Sequence, residues 1–326
     1  MNNHKFELRK LGNSDLMVSP IGLGCWQFSK GKGIIGGYWQ KISSELIKDI
    51  VQASLEYGIN WFDTAEVYGW GESERSLAEA LMLLGASSQG ALIATKWWPL
   101  FRFAGSITET IEERKRFLHP FPISLYQIHQ PFALASIASQ MKAMALLVAK
   151  HDIQYVGVSN FSAKAMRTAH TELQKYGLKL ISNQVHYNLA HRRIESNGVM
   201  ETAKELGIGI IAYSPLAQGL LTGRFHENPG ALKNISIMRR RSGMFSPRGI
   251  ERSRPLISTL REIGQRYQKT AAQVALNWLI NFHGATAVAI PGATKAEQAT
   301  SNALAMTFTL TKNELSELDI ASRQFS

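Results

Sequence analysis

An acid, a phenol, an ammonium and an imidazole recur in this chain just where short apolar runs end: Asp63, Tyr68, Lys96 and His129. Together they suit the protonation of a carbonyl oxygen. A tyrosine hydroxyl is a weak acid near neutrality, with a reference pKa of about 10. A neighbouring lysine cation would stabilise the phenolate and lower that value, and a carboxylate would keep the lysine charged and aimed. A histidine beside the carbonyl oxygen would orient the substrate or help move the proton. Taken singly, an Asp at a strand end is often a loop cap and a lone His a satisfied structural group. Four such residues at one face are a different matter.

For these side chains to meet, the elements carrying them must share one end. β-branched and aromatic runs at 20–26, 60–64, 92–96, 124–129, 155–159, 182–186, 209–213 and 287–290 alternate with amphipathic segments such as 44–57, 72–84, 162–176 and 195–206. Ser43 and Ser44 are cap candidates for the first helix and Gly58 its stop. Strict βα alternation predicts a parallel sheet, and eight strands are the number that closes a (β/α)8 TIM barrel, whose active site lies at the carboxyl ends of the strands. A doubly wound sheet has no obvious place for eight such strands. The long last interval reads as an inserted loop, 216–253, forming a lid with glycine hinges at Gly230, Gly243 and Gly249, then an extra helix, 254–267, before the regular one at 270–282. Residues 312–323 read as a second extra helix. Residues 6–18 read as an N-terminal β-hairpin turning at Gly12-Asn13, placed to plug the barrel floor.

Composition agrees with one α/β domain over 1–326. The 326 residues are 45% hydrophobic and 19% charged, with no run of apolar residues long enough to span a membrane and no apolar leader in MNNHKFELRK. One cysteine, Cys25, excludes an internal disulfide framework and a multi-cysteine zinc site, so a cytoplasmic location and no metal are expected. The net charge of +11 is uneven: 224–266 holds ten Lys and Arg against three acids. Without an accompanying RNA- or DNA-binding motif, that block reads as a solvated loop or an anion clamp rather than a nucleic-acid surface. Gly31-Lys32-Gly33-Ile34-Ile35-Gly36 spells a dinucleotide fingerprint, but no strand leads into it and no helix opens on its last glycine.

The chain resembles the aldo-keto reductase superfamily, and the resemblance runs over nearly its whole length. It is carried by Ile21-Gly22-Leu23-Gly24-Cys25-Trp26, Phe62-Asp63-Thr64-Ala65-Glu66-Val67-Tyr68-Gly69, Ala94-Thr95-Lys96, Gln127-Ile128-His129, Gly157-Val158-Ser159-Asn160-Phe161, Gln184, Ala212-Tyr213-Ser214-Pro215-Leu216 and Ile290-Pro291-Gly292. It implies a (β/α)8 barrel that reduces an aldehyde or ketone with NADPH, NADH being the lesser candidate, and with no metal. Tyr68 would be the general acid in a tetrad with Asp63, Lys96 and His129. Ser159, Asn160 and Gln184 would hold the nicotinamide carboxamide and Tyr213 would stack on its ring. Around them the resemblance implies a cradle of Gly24, Cys25, Trp26, Ser214, Pro215, Leu216, Gln218, Gly219, Gly223 and Arg224, whose glycines permit close approach to the pyrophosphate. Ile290, Gly292, Thr294, Lys295, Gln298 and Asn302 would complete it at the adenosine end, where a helix N-terminus favours an anion. There the chain departs from relatives that carry arginine after Gly-Ala: it has Thr294, then Lys295.

Trp26, Tyr38, Trp39, Trp97 and Trp98 lie on or near loops at the same mouth and predict an aromatic-lined pocket for a flat carbonyl compound. A cofactor-binding regulatory subunit, like the potassium-channel β subunits that share this fold, is the alternative function. Oligomeric state is left open by the sequence.

Overall fold

The computed structural model describes residues 6–33, 38–39, 41–240 and 243–325. A two-strand hairpin, β1 (Arg9–Lys10) and β2 (Met17–Val18), comes first. Eight parallel strands follow: β3 (Leu23–Gly24), β4 (Trp61–Asp63), β5 (Leu92–Trp97), β6 (Ile123–Ile128), β7 (Tyr155–Ser159), β8 (Leu180–His186), β9 (Gly209–Tyr213) and β10 (Ala287–Ala289). Each pairs with its sequence neighbour. Parallel bridges between Ile21 and Ala289 and between Gly24 and Gly292 join the first strand to the last and close the barrel. Gly22 N–H donates to Ala289 O at 2.8 Å and Ala289 N–H to Pro20 O at 3.0 Å across this seam.

The helices α1 (Ser44–Glu56), α2 (Glu72–Leu84), α3 (Gly105–Leu118), α4 (Ile137–Ala149), α5 (Ala163–Gln174) and α6 (Val199–Leu206) follow β3 to β8 in turn. Short pieces α7 (Arg224–Glu227) and α8 (Ile237–Arg240) lead to the long α9 (Pro247–Tyr267), and α10 (Ala271–Asn281), α11 (Ala296–Ala303) and α12 (Lys312–Ser322) complete the chain. Caps fix several starts: Ser43 accepts from Leu46 N–H at 3.2 Å, and Thr270 with Gln273 forms a capping box. Among the described residues no helix is long and apolar enough to cross a membrane.

Period-two alternation divides the strand residues between two cores. Phe62, Ile93, Tyr126, Ile128, Val158 and Ile210 point outward and pack under the helices. Trp61, Ala94, Leu125, Ile181, Ile211 and Val288 point inward as an apolar floor, and Leu11, Leu16 and Val18 of the hairpin plug it from below. The turn glycine is required: Gly12 has φ +57°, and a Cβ there would stand 2.2 Å from Ile181 O.

Three expectations shift. The segment expected as a helix over 195–206 starts only at Val199, because Gly198 takes the left-handed conformation (φ +82°) and breaks the run. The extra helix expected from 254 begins at Pro247, Ser246 capping it, so Pro255 is interior rather than initial. The inserted stretch is a series of short helical turns, not an open loop, and Gly249 is a packing glycine: its Cβ would stand 2.2 Å from Gly243 O.

Candidate active site

Above the apolar floor the inward positions of the same strands turn polar. Asp63 follows Trp61, Lys96 follows Ala94, Gln127 follows Leu125, and Gln184 lies two places beyond Ser182. Lys96, fully buried, is ion-paired to Asp63 and donates to Thr64 O at 2.7 Å. The other carboxylate oxygen of Asp63 accepts from Gln127 Nε2 at 3.2 Å and Gln184 Nε2 at 2.8 Å. A buried ion pair persists only when its remaining hydrogen-bonding capacity is met in this way. Burial pulls the lysine below its ordinary value, and Asp63 opposes that pull.

Tyr68 reaches this pair from the loop after β4. The Lys96 ammonium stands over its ring, 5.1 Å from the centroid. The expectation that lysine would lower the phenol's pKa is not met. Burial, and then the Asp63 carboxylate, hold the phenol well above its ordinary value. The phenol is therefore a fully protonated donor. His129, at the end of β6, meets the Tyr68 ring edge-on at 5.6 Å. Burial and the Lys96 charge push its pKa well below 6.5, so the imidazole is neutral. Its Nδ1 is shielded from solvent without a partner among the described residues.

Two further groups flank the tetrad. Ser159 Oγ and Asn160 N–H both donate to Gln184 O at 2.9 Å, and Tyr213 Oη donates to Asn160 Oδ1 at 3.1 Å. Tyr213 is backed by His186, whose ring lies 5.3 Å away and within 8° of parallel. These residues suit a carboxamide held beside a flat ring. On the other side Trp26 stacks on Tyr68 (5.7 Å) and on Tyr38 (4.8 Å), Trp39 meets Trp26 edge-on at 5.8 Å, and Trp98 meets His129 at 5.1 Å.

Two assigned residues are turned away. Trp97 is fully buried in the outer core, donating Nε1–H to Ser106 at 3.1 Å, because the position after inward Lys96 must point out. Cys25 is likewise in the outer core, its thiol against Leu23 O at 3.5 Å and held well above its ordinary pKa by burial. Its main-chain N–H donates to Asp63 O at 2.8 Å, tying it to the site.

Around 214–224 the backbone is bent sharply: Ser214, Ala217, Gln218, Gly219 and Gly223 all have positive φ. Pro215 is buried, Leu216 half-buried and Arg224 exposed. At the barrel seam Ile290 and Gly292 adjoin Gly24, whose Cβ would stand 2.8 Å from Ile290 O. Lys295 is the N-cap residue of α11, with an exposed side chain. Gln298 is drawn back to accept from Thr294 N–H at 2.8 Å, and Asn302 is buried. Ile34, Ile35 and Gly36 of the glycine-rich loop, and Arg241, lie outside the described residues.

Sequence reasoning missed a buried charge cluster beneath the tyrosine loop. Glu66, between Asp63 and Tyr68, is ion-paired to Arg102, accepts Trp98 N–H at 3.0 Å and lies 3.4 Å from Arg114. Arg114 also reaches Glu74 at 3.2 Å, and Glu74 accepts from Thr95 at 2.7 Å. Burial pushes the Glu74 carboxyl up to about 7, Arg114 opposing it. A signal existed: Arg114 interrupts the apolar stripe Ile107, Ile111, Leu118 of α3, and a charge there needs a buried partner.

The profile of the "Aldo/keto reductase family" matches residues 20–323. An uncharacterised oxidoreductase of Mycobacterium tuberculosis is 38% identical over 94% of this chain and 90% of its own length. The chloroplastic pyridoxal reductase of Arabidopsis thaliana is 30% identical over 97% of this chain and 86% of its own. Among solved structures, a thermostable aldo-keto reductase in complex with the inhibitor epalrestat superposes with a TM-score of 0.76 at 25% identity, covering 96% of this chain and 99% of that one. A glycerol dehydrogenase from Gluconobacter oxydans, at 24% identity, shares the fold with a TM-score of 0.82 over 98% and 96% of the two chains.

Proposed function

Because the chain belongs to the aldo/keto reductase family, we propose that this oxidoreductase is an NADPH-dependent carbonyl reductase of the cytoplasm, converting an aldehyde or ketone to an alcohol. The observation that carries the reading is the buried Lys96–Asp63 pair beneath a protonated Tyr68, with neutral His129 at the same mouth.

Tyr68 Oη gives its proton to the carbonyl oxygen as charge develops there. The Lys96 cation nearby favours the phenolate left behind, and Asp63 keeps that cation in place. A neutral imidazole suits His129 to a hydrogen bond with the carbonyl oxygen, aligning it without competing as an acid. When bound, the nicotinamide supplies the hydride. Ser159, Asn160 and Gln184 would hold its carboxamide and Tyr213 its ring face; the shielded acceptor Gln127 Oε1 is a further polar atom at this level with no partner among the described residues. Ser214, Pro215, Leu216, Gln218, Gly219, Gly223 and Arg224 would cover the pyrophosphate, with the inserted segment as lid. Lys295 would meet the 2′-phosphate.

Trp26, Tyr38, Trp39 and Trp98 support a flat aromatic aldehyde, and the similarity to a pyridoxal reductase points the same way. The test is loss of NADPH absorbance with 4-nitrobenzaldehyde and with pyridoxal, NADH run in parallel. Turnover by the wild type, abolished in Tyr68→Phe, is expected; binding of NADPH without turnover of any aldehyde would overturn the reading.

A further inference from the structure

The carboxyl ends of β8 and β9 set two rings side by side. His186 pairs in register with Tyr213 across these parallel strands. It stands two places beyond inward Gln184, and Tyr213 two places beyond inward Ile211, so both side chains share the inner face of the barrel mouth. Their rings lie 5.3 Å apart and within 8° of parallel. A third ring, His191, stacks on His186 at 4.0 Å and 16°. Neither histidine belongs to the tetrad.

The neighbours of this stack fix its charge. Asn188 is fully buried, and its side-chain oxygen accepts Ala190 N–H at 2.8 Å, which identifies the other end of the amide as the nitrogen. That nitrogen donates to Ser214 O at 2.9 Å and to His186 Nε2 at 3.3 Å. To accept, Nε2 must offer a lone pair, so the imidazole carries its one proton on Nδ1 and is neutral. Burial, and then His191, hold the pKa of His186 down to about 4, and among the described residues no carboxylate acts on either imidazole.

An oxidised nicotinamide is a pyridinium cation, whereas the reduced ring is uncharged. An aromatic face attracts a cation, and a positive charge behind that face opposes the attraction. A neutral support behind Tyr213 therefore matters to the oxidised ring and hardly to the reduced one.

We propose that His186 is a positioning residue for the nicotinamide: it backs the Tyr213 ring and, kept neutral by Asn188 and His191, sets the relative affinity of the protein for NADP+ and NADPH. This rests on the reading of the site as that of a reductase with Tyr213 as the nicotinamide's ring face.

The Kd values for NADP+ and NADPH are read by quenching of tryptophan fluorescence, with no aldehyde present. His186→Arg puts a planar, permanently charged group where the imidazole stacks. It is expected to raise the Kd for NADP+ about tenfold and that for NADPH less than about threefold. His186→Phe, which restores a neutral ring, is expected to keep the ratio of the two at its wild-type value. His186→Ala, with no ring, is expected to raise both about threefold or more, in parallel. An unchanged ratio in a His186→Arg protein that still binds NADPH overturns the proposal. Should that variant fail to fold, His186→Ala binding both cofactors as tightly as the wild type overturns it instead. Tyr213→Ala is run alongside: unchanged Kd values there would take the nicotinamide away from Tyr213 and the proposal with it. Absence of aldehyde turnover by the wild type, with the expected affinities intact, would sink the reductase reading and leave the stack standing.

Discussion

The ammonium of Lys96 lies over the face of the Tyr68 ring, 5.1 Å from its centroid, yet spends its hydrogen bonds on Asp63 and on the carbonyl of Thr64. The lysine thus acts on the tyrosine through its field, and the carboxylate decides how much of that field is left. The balance favours the protonated phenol.

Removing the proton donor alone should separate binding from chemistry. Tyr68→Phe is expected to keep its affinity for NADPH, read by fluorescence titration, while kcat falls about 10²–10⁴-fold. Reduction of aldehydes at the wild-type rate would show that another group donates the proton.

Removing the cation has a second cost. Lys96→Met leaves Asp63 buried with two amide donors and no counter-charge, which is worth about 3–5 kcal/mol of stability. For a chain of this length the melting temperature should drop by about 4–7 °C. Surviving activity should show its pH profile displaced upward, since the phenol would then face Asp63 unopposed. A variant that melts like the wild type and keeps its pH profile would contradict this account of the pair.

Glu74 predicts a pH dependence of stability with a definite sign. Its carboxyl is raised from 4.5 to about 7 in the folded protein, so between those values the native state binds more protons than the unfolded one. Stability from this group is complete below about pH 4.5 and is lost as pH rises through about 7. Glu74→Gln, which keeps an acceptor for Thr95, should flatten the fall in melting temperature between pH 5 and 8. An unchanged slope would mean Arg114 holds Glu74 ionised throughout.

Cofactor choice is expected to rest on Lys295. Its side chain is exposed at the start of α11, and Gln298 is occupied with Thr294 rather than reaching outward. Lys295→Ala should raise the Kd for NADPH about tenfold and leave that for NADH nearly unchanged. Equal effects on both, measured by titration, would take Lys295 out of the 2′-phosphate site.

How much of this was legible in the sequence follows from what each signal encodes. Strand order, the hairpin plug and the convergence of Asp63, Tyr68, Lys96 and His129 were readable, because a parallel barrel leaves little freedom in where strand ends go. The outward orientation of Trp97 follows from inward Lys96 by alternation, whereas aromatic clustering alone points it to the mouth. The cluster of Glu66, Glu74, Arg102 and Arg114 could not be assembled from local pattern, since its members come from three separate segments and only Arg114 breaks a stripe. Nor does a sequence reveal that Arg239 is buried while Arg240 is exposed, which depends on how short helical turns stack.

The seam that joins Ile21 to Ala289 and Gly24 to Gly292 also sets an order of events in synthesis. A chain made from its N-terminus can collapse strand upon neighbouring strand as it emerges. Its first strand, however, waits with one edge bare until nearly all of the sequence exists. That edge lies beside Trp26 at one rim of the pocket, and the segment that covers it carries Lys295 just beyond. The site is therefore among the last features to be completed. A nascent chain stalled before residue 287 has its Asp63 and Lys96 already translated but no closed barrel to hold them.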